Sequence, residues 1–220
     1  MKKYILLTIT LALLSYCHIL ADNKQMDILE KLIPDGSNAP AVSGQIYYHN
    51  SKVKFNNITA FQKALKHYKI SFKNKITLLQ FWQLDDKFSK LALPKLQIIN
   101  TKYKKNGIQI FAINTNDFDD KLSIMEYLNN YNQTQQSFDA ETNKYYENVK
   151  TDFYKPLTTP LLFADKSLKQ QFGIKAFPAM FIINKQGKVH TAMVGYFNEY
   201  DTWLSEVLDD LLKPKGGKKK

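Results

Sequence analysis

The 220-residue chain contains no arginine and a single cysteine, Cys17. All 31 of its basic residues are therefore lysines. Without guanidinium forks it has no bidentate grip on phosphates, base edges or carboxylates, which argues against specific nucleic-acid recognition. One cysteine cannot close an intramolecular disulfide, so the fold must rest on its core. A glycine-rich phosphate loop and a Gly-x-Ser-x-Gly elbow are both missing, which removes P-loop nucleotide chemistry and the serine-hydrolase arrangement. Beyond the N-terminus no apolar run approaches the roughly 18 residues of a membrane helix. Histidine is scarce as well. Outside the first 21 residues there are His49, His67 and His190, predicted in a turn, a helix and a strand, without metal-ligand spacing.

What the chain does have begins at its N-terminus. Lys2 and Lys3 precede the apolar stretch Tyr4–Leu14, and Ala21 stands before a polar start at Asp22. Residues 1–21 read as a secretory signal, so the protein is expected to be exported, to a periplasm or to the outside. If cleavage follows Ala21, the remaining chain has no cysteine. The alternative makes Cys17 a lipid-attachment point, with the bulky Tyr16 against it. The other end is the basic tail 214–220. Lys2, Lys3, Lys213, Lys215, Lys218, Lys219 and Lys220 are seven of the positive charges, so the formal +11 falls to +4 without them. Such a tail is expected to be solvated, with at most a loose attraction to anionic surfaces.

Between these ends the pattern alternates strand and helix. Residues 22–38 form a short N-terminal segment. Gln45–Tyr48 and Lys52–Phe55 flank His49-Asn50-Ser51 and predict a hairpin. Ile58–Tyr68 has helical spacing. Lys75–Trp82 is an apolar strand. Residues 88–105 form a helix with Phe88, Ala92, Leu96, Ile99 and Tyr103 on one face, closed by Asn106-Gly107. Ile108–Asn114 is a second apolar strand, and a strand–helix–strand unit with a short return implies parallel pairing. A helix over Asp119–Tyr131 follows, then a polar, tyrosine-rich insertion over 132–157. Pro160–Phe163 is a short strand and Ser167–Phe172 a helical turn. Ala179–Asn184 and Lys188–Val194 pair around Lys185-Gln186-Gly187, and Tyr200–Leu212 is the last helix, stopped by Pro214. The fold class is α/β, with a central mixed sheet flanked by helices.

Two segments resemble a known family. Residues 76–96 read as a strand, the aromatic pair Phe81-Trp82, a short turn and a helix carrying Pro94. Residues 172–188 read Phe-Gly-Ile-Lys-Ala-Phe-Pro, a strand, then Asn-Lys-Gln-Gly-Lys. In this order and spacing they are similar to thioredoxin-like proteins of the TlpA/ResA type, relatives of the AhpC/TSA redoxins, over about residues 39–213. The resemblance implies a thioredoxin-like fold with its site at the turn after Trp82, where the family carries Cys-x-x-Cys. Here Asp86 and Ser89 stand at those two positions. It also implies that Pro178 is the family's cis-proline, whose loop pairs its main chain with a bound peptide.

Thiol–disulfide exchange needs a thiolate and a resolving sulfur. Neither Asp86 nor Ser89 supplies one, and a peroxiredoxin reaction fails for the same reason. An aspartate suits the helix N-terminus as a cap. No catalytic residue and no cofactor is therefore expected. Trp82, Asp85, Asp86, Phe177 and Pro178 are the predicted contact residues for a protein or an extended peptide, by short β-augmentation. The expected function is a redox-inactive binding or folding-assistance module. Two alternatives stay open: an oxidoreductase homologue by ancestry alone, or an enzyme using carboxylate or metal chemistry at the same place. For the latter, Asp85, Asp86, Asn114, Asn116, Asp117, Asp119 and Asp120 follow neighbouring strands as oxygen donors, although no metal site is assigned.

Overall fold

A computed structural model describes residues 32–48, 53–115, 121–129 and 157–213. The predicted signal, most of the N-terminal segment, the turn at 49–52, Asn116, Asp117, Asp119 and Asp120, the insertion up to 156 and the tail 214–220 lie outside the described residues. Seven strands and five helices are described: β1 (Ser43–Tyr47), α1 (Ile58–Ala64), β2 (Lys66–Lys69), β3 (Thr77–Trp82), α2 (Lys87–Tyr103), β4 (Gln109–Asn114), α3 (Lys121–Asn129), β5 (Leu161–Phe163), α4 (Lys166–Gln171), β6 (Ala179–Ile183), β7 (Val189–Val194) and α5 (Tyr200–Leu212).

The strands form one mixed sheet in the order β2-β1-β5-β4-β3-β6-β7. The pairs β3–β4 and β4–β5 are parallel. The outer pairs β1–β2, β1–β5, β3–β6 and β6–β7 are antiparallel. Every residue of β3 is buried, as its near-continuous apolar run requires of a strand covered on both faces.

Alternation along the strands divides the core into two layers. One face carries Leu78, Trp82, Ala112 and Met180 beneath Leu93, Leu96 and Ile99 of α2 and Leu204 and Leu208 of α5. The other carries Leu79, Phe81, Phe111 and Phe181 against Val42, Leu168 and Phe172. Each Leu, Ile, Phe or Met among them contributes roughly 1.5–3 kcal/mol by leaving water. Helices α2 and α5 run side by side in the same direction. Lys95, midway along α2, meets Asp201 at the start of α5 at 2.8 Å, and the Tyr103 hydroxyl at the end of α2 donates to Asp209 at 2.7 Å, about two turns further along α5. Both helix N-termini therefore point the same way, with α2 beginning about two turns before α5.

The strand–helix–strand core and the final helix agree with the sequence reading, and Gly107 caps the turn after α2 with a left-handed φ of 74°. Three local readings change. The helix predicted over 58–68 stops at Ala64, and Leu65 turns extended with ψ 138°. The next four residues become β2, because an antiparallel ladder to β1 is available, with Gly44 opposite Tyr68 and Ile46 opposite Lys66. That ladder also takes the place of the hairpin predicted with 52–55, and it puts His67 in a strand. Finally, Phe88 is 50% exposed rather than on the buried face of α2. It sits in the first turn of that helix, two residues after the N-cap Asp86.

Candidate functional site

The site is built where β3 ends and α2 begins. Asp86 is the N-cap of α2, with extended backbone (φ −83°, ψ 118°). Its carboxylate accepts a hydrogen bond from the Ser89 N–H, and its carbonyl accepts from the Lys90 N–H at 3.2 Å. Ser89 is fully buried. Its hydroxyl oxygen accepts from the Gln83 N–H at 3.2 Å, which folds the turn back onto the helix. Both positions expected to hold sulfur are therefore tied into main-chain bonds. The carboxylate satisfies one of the orphan N–H groups that every helix N-terminus leaves.

The second wall comes from the start of β6. Phe81 pairs with Ala179, so one step further along the same ladder Trp82 lies opposite Pro178. The Phe177–Pro178 peptide bond is cis. The Pro178 carbonyl accepts from the Gly195 N–H at 2.8 Å, which ties this loop to the end of β7. Among the described residues, no hydrogen bond reaches the main-chain N–H or C=O of Phe177. Its half-buried ring carries the Lys169 ammonium 5.4 Å from its centre, a cation–π contact.

Of the five predicted contact residues, Asp85 is exposed and Asp86 and Phe177 are half-buried. Pro178 is buried. Trp82 is fully buried, so its indole belongs to the core and does not offer a contact surface. Its ring packs on Tyr127 with centroids 6.2 Å apart. Exposed apolar surface at this end comes instead from Phe88 and from Phe197, which is 37% exposed just before α5. Phe197 carried no sequence signal, because it sits in a loop without periodicity.

Sequence reading also missed the polar group beneath the site. Gln80 is fully buried in the middle of β3, and the Tyr200 hydroxyl donates to its Oε1 at 2.9 Å. The available signal was a lone polar residue inside an apolar run. An amide neither takes nor gives a proton at ordinary pH, so this buried group is no general acid or base. Burial pushes the Tyr200 phenol far above its usual range. His67 and His190 are exposed on strands at opposite ends of the sheet. Among the described residues, no three His, Cys, Asp or Glu side chains are grouped to share a metal ion. No described helix is long and apolar enough to cross a membrane.

The AhpC/TSA family model matches residues 51–192. No protein of curated function matches the sequence. Among solved structures, AhpC from Mycobacterium tuberculosis is similar with a TM-score of 0.55 and 16% identity, covering 83% of this chain and 99% of that one. A thiol:disulfide interchange protein of the thioredoxin family from Chlorobium tepidum has a TM-score of 0.51 at 17% identity, over 82% of this chain and 99% of that one. At such identities the likeness is one of fold, and the fold is thioredoxin-like.

Proposed function

The chain belongs to the AhpC/TSA family, and from that premise we propose that it is an exported, redox-inactive member acting as a binding or folding-assistance module for an extended polypeptide segment. The observation that carries the reading is the state of the two thiol positions. Asp86 caps α2 and Ser89 is buried with its oxygen bonded to Gln83, so both serve the helix start rather than sulfur chemistry. The Phe177 main chain supports the binding half of the proposal. Its N–H and C=O have no partner among the described residues, and a short β-augmentation takes up such groups. Phe88 and Phe197 add apolar surface for side chains of the bound segment. Export rests on Lys2, Lys3 and the apolar stretch before Ala21.

The test is site-specific crosslinking. A photo-reactive phenylalanine analogue at position 177 should trap a discrete polypeptide in the native compartment, and the same analogue at Lys69, on the far edge strand, should not. Equal trapping from both positions, or from neither, would remove the binding role.

A further inference from the structure

Two N–H donors in the core have no acceptor among the described residues. They are Gln80 Nε2 and Trp82 Nε1, both buried. Leaving such a donor unpaired costs about 1–3 kcal/mol, and buried polar atoms in folded proteins are nearly always bonded. The two side chains stand on the same face of β3, two residues apart. Same-face neighbours on a strand are separated by about 6.8 Å at their Cα atoms, and an acceptor bonded at about 2.9 Å to each donor needs the two donors within about 5.8 Å, a gap that side-chain tips leaning about 1 Å together meet. One small acceptor between them can therefore reach both.

The surroundings define that acceptor. Met180 pairs with Gln80 across the ladder, and Leu93 and Leu96 belong to the same buried layer, so a charged group would be left uncompensated there. A neutral oxygen that accepts from two donors and has protons of its own to give away fits better. The Tyr200 oxygen, whose proton goes to Gln80 Oε1, keeps lone pairs free for one of them. We infer that Gln80, Trp82 and Tyr200 form a site for one internal water molecule, held beneath the turn that carries Asp86. It takes the Trp82 and Gln80 N–H groups and donates back to Tyr200, which gives it the two to four polar partners that buried waters have. The water links β3 to α5, and through α5 the position of α2 over the sheet.

The experiment is water-to-indole magnetisation transfer on the full-length ¹⁵N-labelled protein. The chain has two tryptophans, so two indole signals are observed. The Trp82 indole N–H should show a cross-peak at the water frequency with the sign of a slowly exchanging, bound water, and the partly exposed Trp203 should show only fast exchange. Tyr200→Phe and Gln80→Leu should each weaken or abolish the Trp82 cross-peak and leave the Trp203 signal unchanged. Absence of the wild-type cross-peak overturns the inference whatever the variants do. So does direct bonding of the Trp82 indole to the Gln80 carbonyl with the amide turned over.

Discussion

The Asp86 carboxylate accepts a hydrogen bond from the Ser89 N–H, while the Ser89 oxygen accepts from Gln83 at 3.2 Å. These are the two positions at which the family resemblance expects sulfur. Together they make an interlocked helix start, a structural use of a place otherwise suited to a thiolate. The same helix N-terminus favours either anion, because its free N–H groups and dipole respond to charge and not to element.

Asp86→Ala should remove the cap and cost about 1 kcal/mol, a fall of about 2–4 °C in Tm for a chain of this size. Asp86→Asn keeps an acceptor at the cap and should stay within a few tenths of a kcal/mol of wild type. Thermal melts followed by circular dichroism compare the two. Equal melting temperatures for the Ala variant and wild type would mean that Asp86 does not hold the helix.

Gly44 is required by close approach. A Cβ there would lie 2.3 Å from the Phe163 carbonyl oxygen, a main-chain atom that cannot swing away. Gly44→Ala should force β1 off β5 and cost about 1–3 kcal/mol, read as a lower urea midpoint. An unchanged midpoint would contradict the β1–β5 pairing.

Gln97 is a buried amide that organises the chain before β5. Its Oε1 accepts from the Thr158 and Thr159 N–H groups at 2.7 and 2.9 Å, and its Nε2 donates to Thr158 Oγ1 at 2.8 Å. Gln97→Leu strands two main-chain donors and should cost about 3 kcal/mol. Gln97→Glu keeps the acceptor and should cost less. Hydrogen exchange at Thr158 and Thr159 should accelerate most in the Leu variant.

Burial holds the phenols of Tyr127 and Tyr200 above the ordinary tyrosine range. Above about pH 10 the unfolded chain releases these protons while the folded chain retains them, so the unfolded state binds fewer protons and stability falls as pH rises. The slope should approach roughly 2.7 kcal/mol per pH unit for two such groups, with full stability below pH 10. Phenolate absorbance from these two residues should appear together with unfolding. Smooth ionisation of all tyrosines near pH 10 in a folded protein would contradict their burial.

Much of the fold could be read from local pattern. Thr77–Trp82 and Ala179–Ile183 are unbroken apolar runs bounded by turn residues, and Gly107 and Gly187 end elements where φ is positive. The β2 strand could not be read this way. Ile58–Tyr68 carries helical spacing throughout, and Lys66–Lys69 becomes a strand through pairing with β1, whose residues lie 20 to 26 positions earlier in sequence. The site was legible in position and only partly in surface. Asp86 and Ser89 are at the helix start as expected. Trp82 is enclosed because covering helices on that face are added by distant segments, among them Tyr127. Gln80 and Tyr200 meet across 120 residues, a contact no local pattern encodes.

We propose that the thioredoxin-like frame persists here without its exchange chemistry. It is tested most directly by insulin-disulfide reduction with dithiothreitol, using the full-length chain carrying Cys17→Ser. The predicted rate is that of the buffer alone. Turnover above that baseline would contradict a redox-inactive frame.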